Sequence, residues 1–355
     1  MHEHLPPRLT RTRVTGAADA HRLARELAAE PFDLTAGPLL RVTLAEGPAP
    51  DESWLLVVVH NLVFDAWSFE LLLDELARPE GTAPAAAPAF SGFAGEQRQW
   101  LEGPAGRAAA AYWAGEVADA PPPLPTDRPR PADGTARGGG RVEFAVSRAV
   151  TEGIAAAAQR EAATAYTGWL AVAWSALAEF GGQQDVLLGT FTAGRDRPGT
   201  TEVAGYLLNV LPVRLREADD GSHGARTRAV RTATRAGLGH AAYPGELIAA
   251  GAEHPRVPGT HPLLDVVFVF DNLGADGREI QGARADTADL DKGTTRYDLT
   301  LAVYPGPDGT HGWLEYDTEL YDAATARRLA ERFTALAESA ADGAADARGA
   351  AGGQG

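Results

Sequence analysis

The feature that most constrains the fold is a strand, turn and helix unit early in the chain. Residues 54–59 (WLLVVV) form a continuous apolar run of the kind found in strands that are buried on both faces of a sheet. Polar residues follow directly, and residues 69–76 (FELLLDEL) then have helical spacing, with Ser68 as the predicted N-cap. A strand buried on both faces needs a packed layer on each side, so this unit predicts an α/β class.

The rest of the chain repeats this alternation of strand-like and helix-like segments. Apolar or alternating runs bounded by turn residues predict strands at 39–44, 141–146, 185–195, 208–215, 263–272, 297–305 and 311–317. Helical spacing predicts helices at 19–30, 93–101 and 105–117, one long alanine-rich helix over 151–180, and a last helix over 323–340. This order of elements predicts an α/β protein with two lobes.

Local composition predicts where the lobes meet. Residues 124–140 are rich in proline and glycine, which is typical of a linker. We therefore expect an N-terminal lobe at 1–123 and a C-terminal lobe at 141–340. Residues 341–355 consist mainly of alanine, glycine and aspartate, and they predict a disordered tail.

Composition also excludes several classes of function. The chain has no cysteine, so disulfides, thiolate metal sites and cysteine nucleophiles are unavailable. A net charge of −16 disfavours nucleic acid as a partner. We find no signal peptide, no membrane-spanning run, no nucleotide-binding or hydrolase motif, and no histidine spacing typical of metal ligands. We expect a cytoplasmic protein with no membrane partner, no metal and no bound cofactor.

Seven phrases spread over most of the chain carry a resemblance to a known family. They are PFDLTAGPLLRVTL, HNLVFDAWS, LPTDRPRP, GTFTAGRDRP, GYLLNVLPVRL, HPLLDVVFVFDN and YDLTLAV with LEYDTELYD. In this order they resemble the condensation domains of nonribosomal peptide synthetases. The resemblance implies two chloramphenicol-acetyltransferase-like lobes that form a V with a central channel. It also implies peptidyl or acyl carrier proteins as partners, whose phosphopantetheine arms present a thioester and an amine for amide formation.

The family's signature motif is altered at two positions. Family members carry two adjacent histidines, three variable residues, an aspartate and a glycine, whereas this chain has His60, Asn61, Asp65 and Ala66. The resemblance implies that the second histidine orients or deprotonates the attacking amine. An imidazole accepts a proton near neutral pH, but the side-chain amide of Asn61 can only hydrogen-bond. We therefore expect impaired catalysis.

The resemblance assigns roles to further residues near this motif. It implies a structural role for Asp65, paired with an arginine that family members carry ahead of the PFDL phrase. Alternation along an extended segment predicts that His60 points into the lobe as a buried, hydrogen-bonded side chain opposite Asn61. We expect Arg195 in a structural ion pair. Channel or latch positions are expected at Ala66, Trp67, Ser68, Tyr206, Asn209 and Asn272.

The resemblance further implies an incomplete N-terminal lobe. Family members carry a strand, a helix and the arginine-bearing segment ahead of PFDL, where this chain has only 30 residues. Three explanations stay open: a start site upstream of Met1, a remnant gene product, or another synthetase chain that completes the lobe.

Two functions stay open, besides a decayed product that has none. The first is a condensation-type acyltransferase that forms amides by atypical or weakened catalysis. The second is a catalytically silent module that docks carrier proteins or recruits another enzyme. Asn61 favours the second function, whereas Asp65 and the intact neighbouring phrases favour the first.

Overall fold

The computed structural model describes residues 8–79, 82, 88–131, 137–216, 220–252, 261–270, 278–286 and 290–352, with only the helical backbone over 344–352. The chain forms two compact units, and neither is a continuous stretch of sequence. Unit 1 consists of Met1–Gln97, Ala193–Leu208 and Gly274–Lys292. Unit 2 consists of Arg98–Thr192, Asn209–Leu273 and Gly293–Gly355.

The elements of both units alternate along the described chain. The strands are β1 (Arg8–Arg13), β2 (Leu40–Glu46), β3 (Ser53–Val59), β4 (Gly139–Ser147), β5 (Val186–Thr192), β6 (Asn209–Leu215), β7 (Val266–Phe270), β8 (Arg278–Ile280), β9 (Ala283–Ala285), β10 (Leu299–Gly306) and β11 (Gly309–Asp317). The helices are α1 (Ala17–Ala29), α2 (Ala66–Ala77), α3 (Phe90–Glu102), α4 (Pro104–Val117), α5 (Arg148–Arg160), α6 (Ala165–Gly181), α7 (His223–Leu238), α8 (Gly245–Gly251) and α9 (Ala323–Gly352).

Unit 1 is built on a three-stranded sheet in the order β1-β2-β3. β1 lies parallel to β2 and is connected to it through α1, whereas β2 and β3 are antiparallel. Ala20 of α1 is buried with Val14 and Ala45, which forms a small core on one face of the sheet. β1 was not predicted from the sequence, because RLTRTR lacks apolar alternation and every residue of the strand is exposed.

Unit 2 contains a six-stranded mixed sheet in the order β4-β11-β10-β7-β5-β6. β7 lies parallel to both β10 and β5, and the other neighbours are antiparallel. The strands predicted at 141–146, 185–195, 208–215, 263–272, 297–305 and 311–317 all fall on this sheet within its described residues. Their apolar character follows from the core that they line.

α6 is the central helix of unit 2. Its residues 167–178 are all buried, and Trp169 and Trp174 are fully covered. A helix buried on nearly every side is apolar all round rather than amphipathic. Across the described part of the chain, even so, no helix has the length and apolar character that a membrane span needs.

The single long helix predicted over 151–180 is wrong, because the structure contains two helices there. α5 ends at Arg160, and Ala162 has a positive φ of 51°, which breaks the helical path. Thr164 then caps α6 by accepting a hydrogen bond from the Thr167 N–H at 3.3 Å. The alanine-rich composition on both sides of this break concealed it.

α7 was absent from the sequence prediction, and α9 is longer than predicted. The buried face of α7 consists of Ala225, Thr227, Val230, Thr234 and Gly237, whose small size hides the helical period. α9 continues to Gly352, although we expected a disordered tail from residue 341. Alanine has the highest helix propensity, and this accounts for the continued helix.

The division into units also differs from the predicted lobes at 1–123 and 141–340. Trp113 and Val117 of α4 are buried with Leu211 and Ile248, so α4 belongs to unit 2 and not to the N-terminal lobe. Residues 193–208 and 274–292 instead belong to unit 1. Long-range contacts, and not the proline-rich segment, determine these boundaries.

A buried network of ion pairs joins the residues just before β7 and β10, and the last residue of β11, to two arginines ahead of β4. Arg130 donates to Asp298 at 2.8 Å and to Asp265 at 3.3 Å. Arg137 donates to Asp317 at 2.5 Å and also to Asp298. Burial and the nearby Asp298 carboxylate raise the pKa of Asp265 to about 6, although Arg130 and Arg137 oppose the shift. The charged form of Asp265 is therefore disfavoured in the folded protein.

Asp265→Asn should stabilise the protein above pH 6. Because the folded pKa of Asp265 lies above the ordinary 3.8, wild type loses stability as the pH rises from about 4 through 6. The variant lacks this loss, and its free energy of unfolding should exceed that of wild type by on the order of 1 kcal/mol, discounted for partial exposure. Urea unfolding at a series of pH values measures the difference. A less stable variant at pH 8 would contradict the prediction.

Candidate functional site

The altered signature motif lies in the turn between β3 and α2. β3 ends at Val59, as predicted, and residues 61–63 then form one turn of 3-10 helix before α2 begins at Ala66. The N-cap of α2 is Asp65 and not Ser68, because the Asp65 carboxylate accepts the N–H of Ser68 at 2.9 Å. A buried Asp thus begins the helix that the sequence predicted.

Six hydrogen-bond donors surround the carboxylate of Asp65. Oδ1 accepts from the Ser68 N–H at 2.9 Å, the Ser68 hydroxyl at 2.8 Å and Arg195 Nη2 at 2.9 Å. Oδ2 accepts from Arg195 Nη1 at 2.8 Å and from the N–H groups of Leu207 at 2.9 Å and Leu208 at 3.0 Å. With every lone pair engaged, this carboxylate is a structural anchor and cannot serve as a proton acceptor.

The arginine partner of Asp65 is Arg195. We expected this partner in a segment ahead of the PFDL phrase, whereas the structure takes it from the TAGRDRP phrase. The two side chains are 2% and 0% exposed, and the guanidinium also donates to the carbonyls of Ala193 at 2.8 Å and Val203 at 3.2 Å. Arg195 is thus part of an ion pair, and its partner is the motif aspartate itself.

Gly194 allows Arg195 to reach this position. Its φ of +66° lies in the left-handed region, and a Cβ atom there would approach the Leu207 carbonyl oxygen to 2.0 Å. A side chain at position 194 would therefore push the backbone there away from the backbone at Leu207. No pattern in the sequence singles out this glycine.

Two opposing effects act on the pKa of Asp65. Burial alone would raise this pKa, but the hydrogen bonds from Arg195, from Ser68 and from the Leu207 N–H outweigh burial and lower the pKa below its ordinary value of 3.8. Asp65 is therefore a carboxylate throughout the physiological pH range.

Ser68 and Trp67 extend the same network into residues 193–208. The Ser68 hydroxyl lies 3.0 Å from the Gly205 carbonyl oxygen and accepts from the Gly205 N–H at 2.9 Å. Trp67 donates its indole N–H to the Thr201 carbonyl at 2.9 Å. Ser68 is buried and Trp67 is half-buried, so both act in the described structure as supports of the turn.

His60 holds the 3-10 turn through one ring nitrogen. Its Nδ1 accepts the Leu62 N–H at 3.0 Å, and its ring lies edge-on to Phe32 with centroids 6.0 Å apart. In the neutral imidazole the remaining proton therefore resides on Nε2. The expected burial of His60 within the lobe is wrong, since the side chain is half-buried: the chain leaves the extended path at Asn61, so strand alternation stops applying.

Asn61 and Ala66 are the two altered positions, and both are exposed. The Asn61 side chain makes no hydrogen bond to any described residue, so its amide is available to a ligand. Ala66 is the first residue of α2 and has no positive φ, so the backbone there does not require the family's glycine. The described residues contain no cluster of three metal-ligating side chains.

The remaining positions that we expected in a channel or latch, Tyr206, Asn209 and Asn272, lie away from the motif turn in sequence. Asn209 donates to the carbonyls of Ala241 at 2.9 Å and Tyr243 at 2.8 Å, and accepts the Gly245 N–H at 2.8 Å. Its amide is thus fully used in holding the segment before α8. Tyr206 is half-buried within residues 193–208. Asn272 lies outside the described residues.

Asp65→Ala should strongly destabilise the protein. The substitution leaves the Arg195 guanidinium buried without its counter-charge, and we expect the free energy of unfolding to fall by roughly 3–5 kcal/mol. Urea unfolding at pH 7 measures this loss. The matched control is Asp74→Ala on the same helix, which breaks an exposed ion pair with Arg278 and should cost less than about 1 kcal/mol.

The contribution of the Asp65 carboxylate to the free energy of unfolding should disappear on acidification. Because the folded pKa of Asp65 lies below 3.8, its stabilising effect is complete above that pH and is lost as the pH falls through the folded pKa. The stability difference between wild type and Asp65→Asn should narrow below pH 4. Equal losses for Asp65→Ala and Asp74→Ala would contradict the anchoring role.

Comparison with known proteins shows the family of this chain. A family model described as the condensation domain matches residues 8–349. Malpinin synthetase of Mortierella alpina is 33% identical over 308 residues, which cover 84% of this chain and 4% of that protein. Phosphinothricin tripeptide synthetase PhsC of Streptomyces viridochromogenes is 33% identical over 360 residues, which cover 96% of this chain and 33% of that protein. The chain therefore spans a third or less of these relatives.

Solved structures share the fold. The X-domain from teicoplanin biosynthesis has a TM-score of 0.84 at 24% identity, and the match covers 96% of this chain and 80% of that one. The condensation domain from the monacolin K polyketide synthase MokA has a TM-score of 0.80 at 21% identity, with 94% and 79% covered. These likenesses confirm the predicted α/β class. Because the family model covers nearly the whole chain and curated relatives share about a third of its residues, this chain belongs to the condensation-domain family.

Proposed function

We propose that this chain serves nonribosomal peptide biosynthesis as a condensation-type domain that forms amides slowly, by holding its reactants without a general base. One observation carries the proposal. The turn of the signature motif is fully built around Asp65, yet its exposed position 61 presents an amide where the family has an imidazole. The hydrogen bonds that hold the motif turn are present, whereas the side chain that would accept the proton of the amine is absent.

The reaction can proceed without that acceptor, at a reduced rate. The amine nitrogen attacks the thioester carbonyl carbon, the carbon–sulfur bond breaks, and the thiol leaves with a proton that the amine gives up. A neutral amine is already nucleophilic, so orientation and proximity supply much of the acceleration. The Asn61 side chain can accept a hydrogen bond from the amine but cannot take its proton.

His60 does not replace the missing base. Its lone pair on Nδ1 is engaged by the Leu62 N–H, and Nε2 carries the proton of the neutral ring. Protonation at Nδ1 would break the hydrogen bond that holds the 3-10 turn. The loss of general-base assistance accordingly falls within the usual ~10²- to 10⁴-fold range.

The proposed partners are carrier proteins with phosphopantetheine arms. The chain carries a net charge of −16, so long-range attraction to an acidic carrier protein cannot drive the encounter. Docking would instead depend on local arginine side chains and apolar contacts. No cofactor is needed, because the phosphopantetheine arm belongs to the carrier.

Asn61→His tests the catalytic proposal. Position 61 is exposed, so the substitution should leave the fold intact, and restoring an imidazole should raise the rate of amide formation by ~10²-fold or more. The measurement is product formation with a thioester on one carrier protein and an amine on the other. Leu62→His is the matched control, because it places an imidazole one residue further along at a site 58% exposed.

The comparison of these three proteins with the reaction without enzyme separates the possible outcomes. Asn61→His faster than both wild type and Leu62→His supports a weakened enzyme. Equal turnover by wild type and Asn61→His, both well above the reaction without enzyme, would refute the claim that Asn61 impairs catalysis. Silence of every protein would favour a role without chemistry.

That second role is recruitment of another enzyme. The observation that favours it is the likeness to the X-domain of teicoplanin biosynthesis, solved in complex with OxyB, at a TM-score of 0.82 and 25% identity. A motif turn that keeps its support and lacks its base fits a surface that binds without reacting. Under this alternative, the chain would bring a second enzyme to a carrier-bound peptide.

Direct binding measurements test recruitment. We expect a tailoring enzyme encoded beside this chain to bind it with the same affinity in wild type and in Asn61→His, since the interaction does not need position 61. Calorimetric titration of each purified candidate against the chain provides the affinity. No binding by any neighbouring enzyme, together with amide formation by Asn61→His, would reject recruitment in favour of catalysis.

A further inference from the structure

Four helices of unit 2, α5, α6, α7 and α9, surround a cavity of about 580 Å³. This volume falls within the ~300–1,000 Å³ range of small-molecule sites. None of the lining residues belongs to the motif turn or to the network around Asp65. The proposed function therefore leaves this cavity unused.

The carboxylates that line the cavity are already paired with cations. Glu161 accepts a hydrogen bond from Arg228 at 2.8 Å. Glu179 accepts two from Arg332, at 2.6 Å and 3.1 Å. Their negative charge is thus balanced before any ligand enters.

Two further arginines line the cavity without a carboxylate partner among the described residues. These are Arg160, at the end of α5, and Arg226, in the first turns of α7. Arg226 donates from Nη1 to the Ser175 hydroxyl at 2.5 Å, and its guanidinium carbon lies 5.6 Å from the centroid of the Trp174 ring. These contacts hold Arg226 in place while leaving its charge uncompensated.

Both guanidinium groups line the same cavity as His223, the first residue of α7. Burial, followed by the positive charges of Arg226 and Arg160, lowers the pKa of His223 to about 4, so this histidine is neutral at pH 7. The two cations thus share one cavity. Two like charges repel one another in the empty cavity, and both attract an anion.

The remaining walls combine hydrogen-bond donors with apolar surface. Ser222 caps α7 by accepting the Ala225 N–H at 3.1 Å, and the Glu161 carboxylate lies beside Gly224 in the first turn of this helix. Leu336 and Ala340 form an apolar wall. The cavity thus matches a molecule with an anionic group at one end and an apolar group at the other.

We propose that this cavity binds a small organic phosphate, with its phosphate between Arg160 and Arg226 and its apolar group against Leu336 and Ala340. A phosphate has enough oxygens to accept hydrogen bonds from two guanidinium groups at once, and paired Arg–phosphate contacts are strong and directional. The site lies outside the machinery proposed for amide formation, and binding there would stabilise unit 2 by mass action.

Calorimetric titration of the full chain with phenyl phosphate at low ionic strength tests the proposal. We expect one molecule bound per chain, with inorganic phosphate binding more weakly because it lacks the apolar group. Arg160→Gln and Arg226→Gln should each weaken binding on the order of tenfold, as expected for loss of one charged hydrogen bond. Arg148→Gln is the matched control, because Arg148 begins the same helix α5, is 69% exposed and does not line the cavity.

Three results would overturn the proposal. They are the absence of phenyl phosphate binding, unchanged binding in both Arg160→Gln and Arg226→Gln, and equal binding of inorganic phosphate and phenyl phosphate. Arg160 is exposed, so Arg160→Gln is expected to fold. If Arg226→Gln does not fold, the affinity of Arg160→Gln for phenyl phosphate tests the proposal alone. A circular dichroism melt of each variant establishes that it is folded.

Discussion

The buried ion pair between Asp65 and Arg195 is the interaction on which the motif turn depends. Removing two charges from water costs free energy, and the attraction between the two charges alone seldom offsets this cost in a protein interior. Here the carboxylate meets six donors, and the guanidinium also donates to three backbone carbonyls, which offsets most of the penalty. Only Nε of Arg195 lacks a partner within this described network. One carboxylate thereby starts α2 and fixes the backbone at residues 207–208.

This arrangement separates the support of the turn from its chemistry. Asn61 lies outside the Asp65 network and is exposed, so the buried hydrogen bonds of the turn do not depend on the side chain at this position. Ala66 is similarly tolerated, because the first residue of a helix has an ordinary backbone conformation. The turn can therefore differ at positions 61 and 66 from the family's motif while its buried support stays intact.

The sequence predicted the fold better than the details of the site. The strands of the large sheet were evident, because buried strands leave a hydrophobic pattern in the sequence. The apolar run of β3 also predicted a strand, but its expected burial on both faces is wrong, because β3 lies at the edge of the three-stranded sheet, none of its residues is buried, and Leu55 is 47% exposed. The break between α5 and α6 was missed, since a single cap at Thr164 carries little weight within an alanine-rich segment. The partner of Asp65 could not be found by pattern at all, because residues 65 and 195 become neighbours only through tertiary structure. The role of Gly194 was hidden for the same reason.

The discontinuity of unit 1 has a consequence for how the protein is made. Unit 1 needs residues 193–208 and 274–292 in addition to the first 97, so a ribosome must synthesise most of the chain before this unit can close. Until Arg195 arrives, Asp65 can cap α2 but has no counter-charge to bury with it. The three strands of the first sheet lie within residues 8–59, whereas the segment that supplies Arg195 follows α5, α6 and β5 of unit 2 along the chain, so the buried ion pair can close only after those elements have been synthesised.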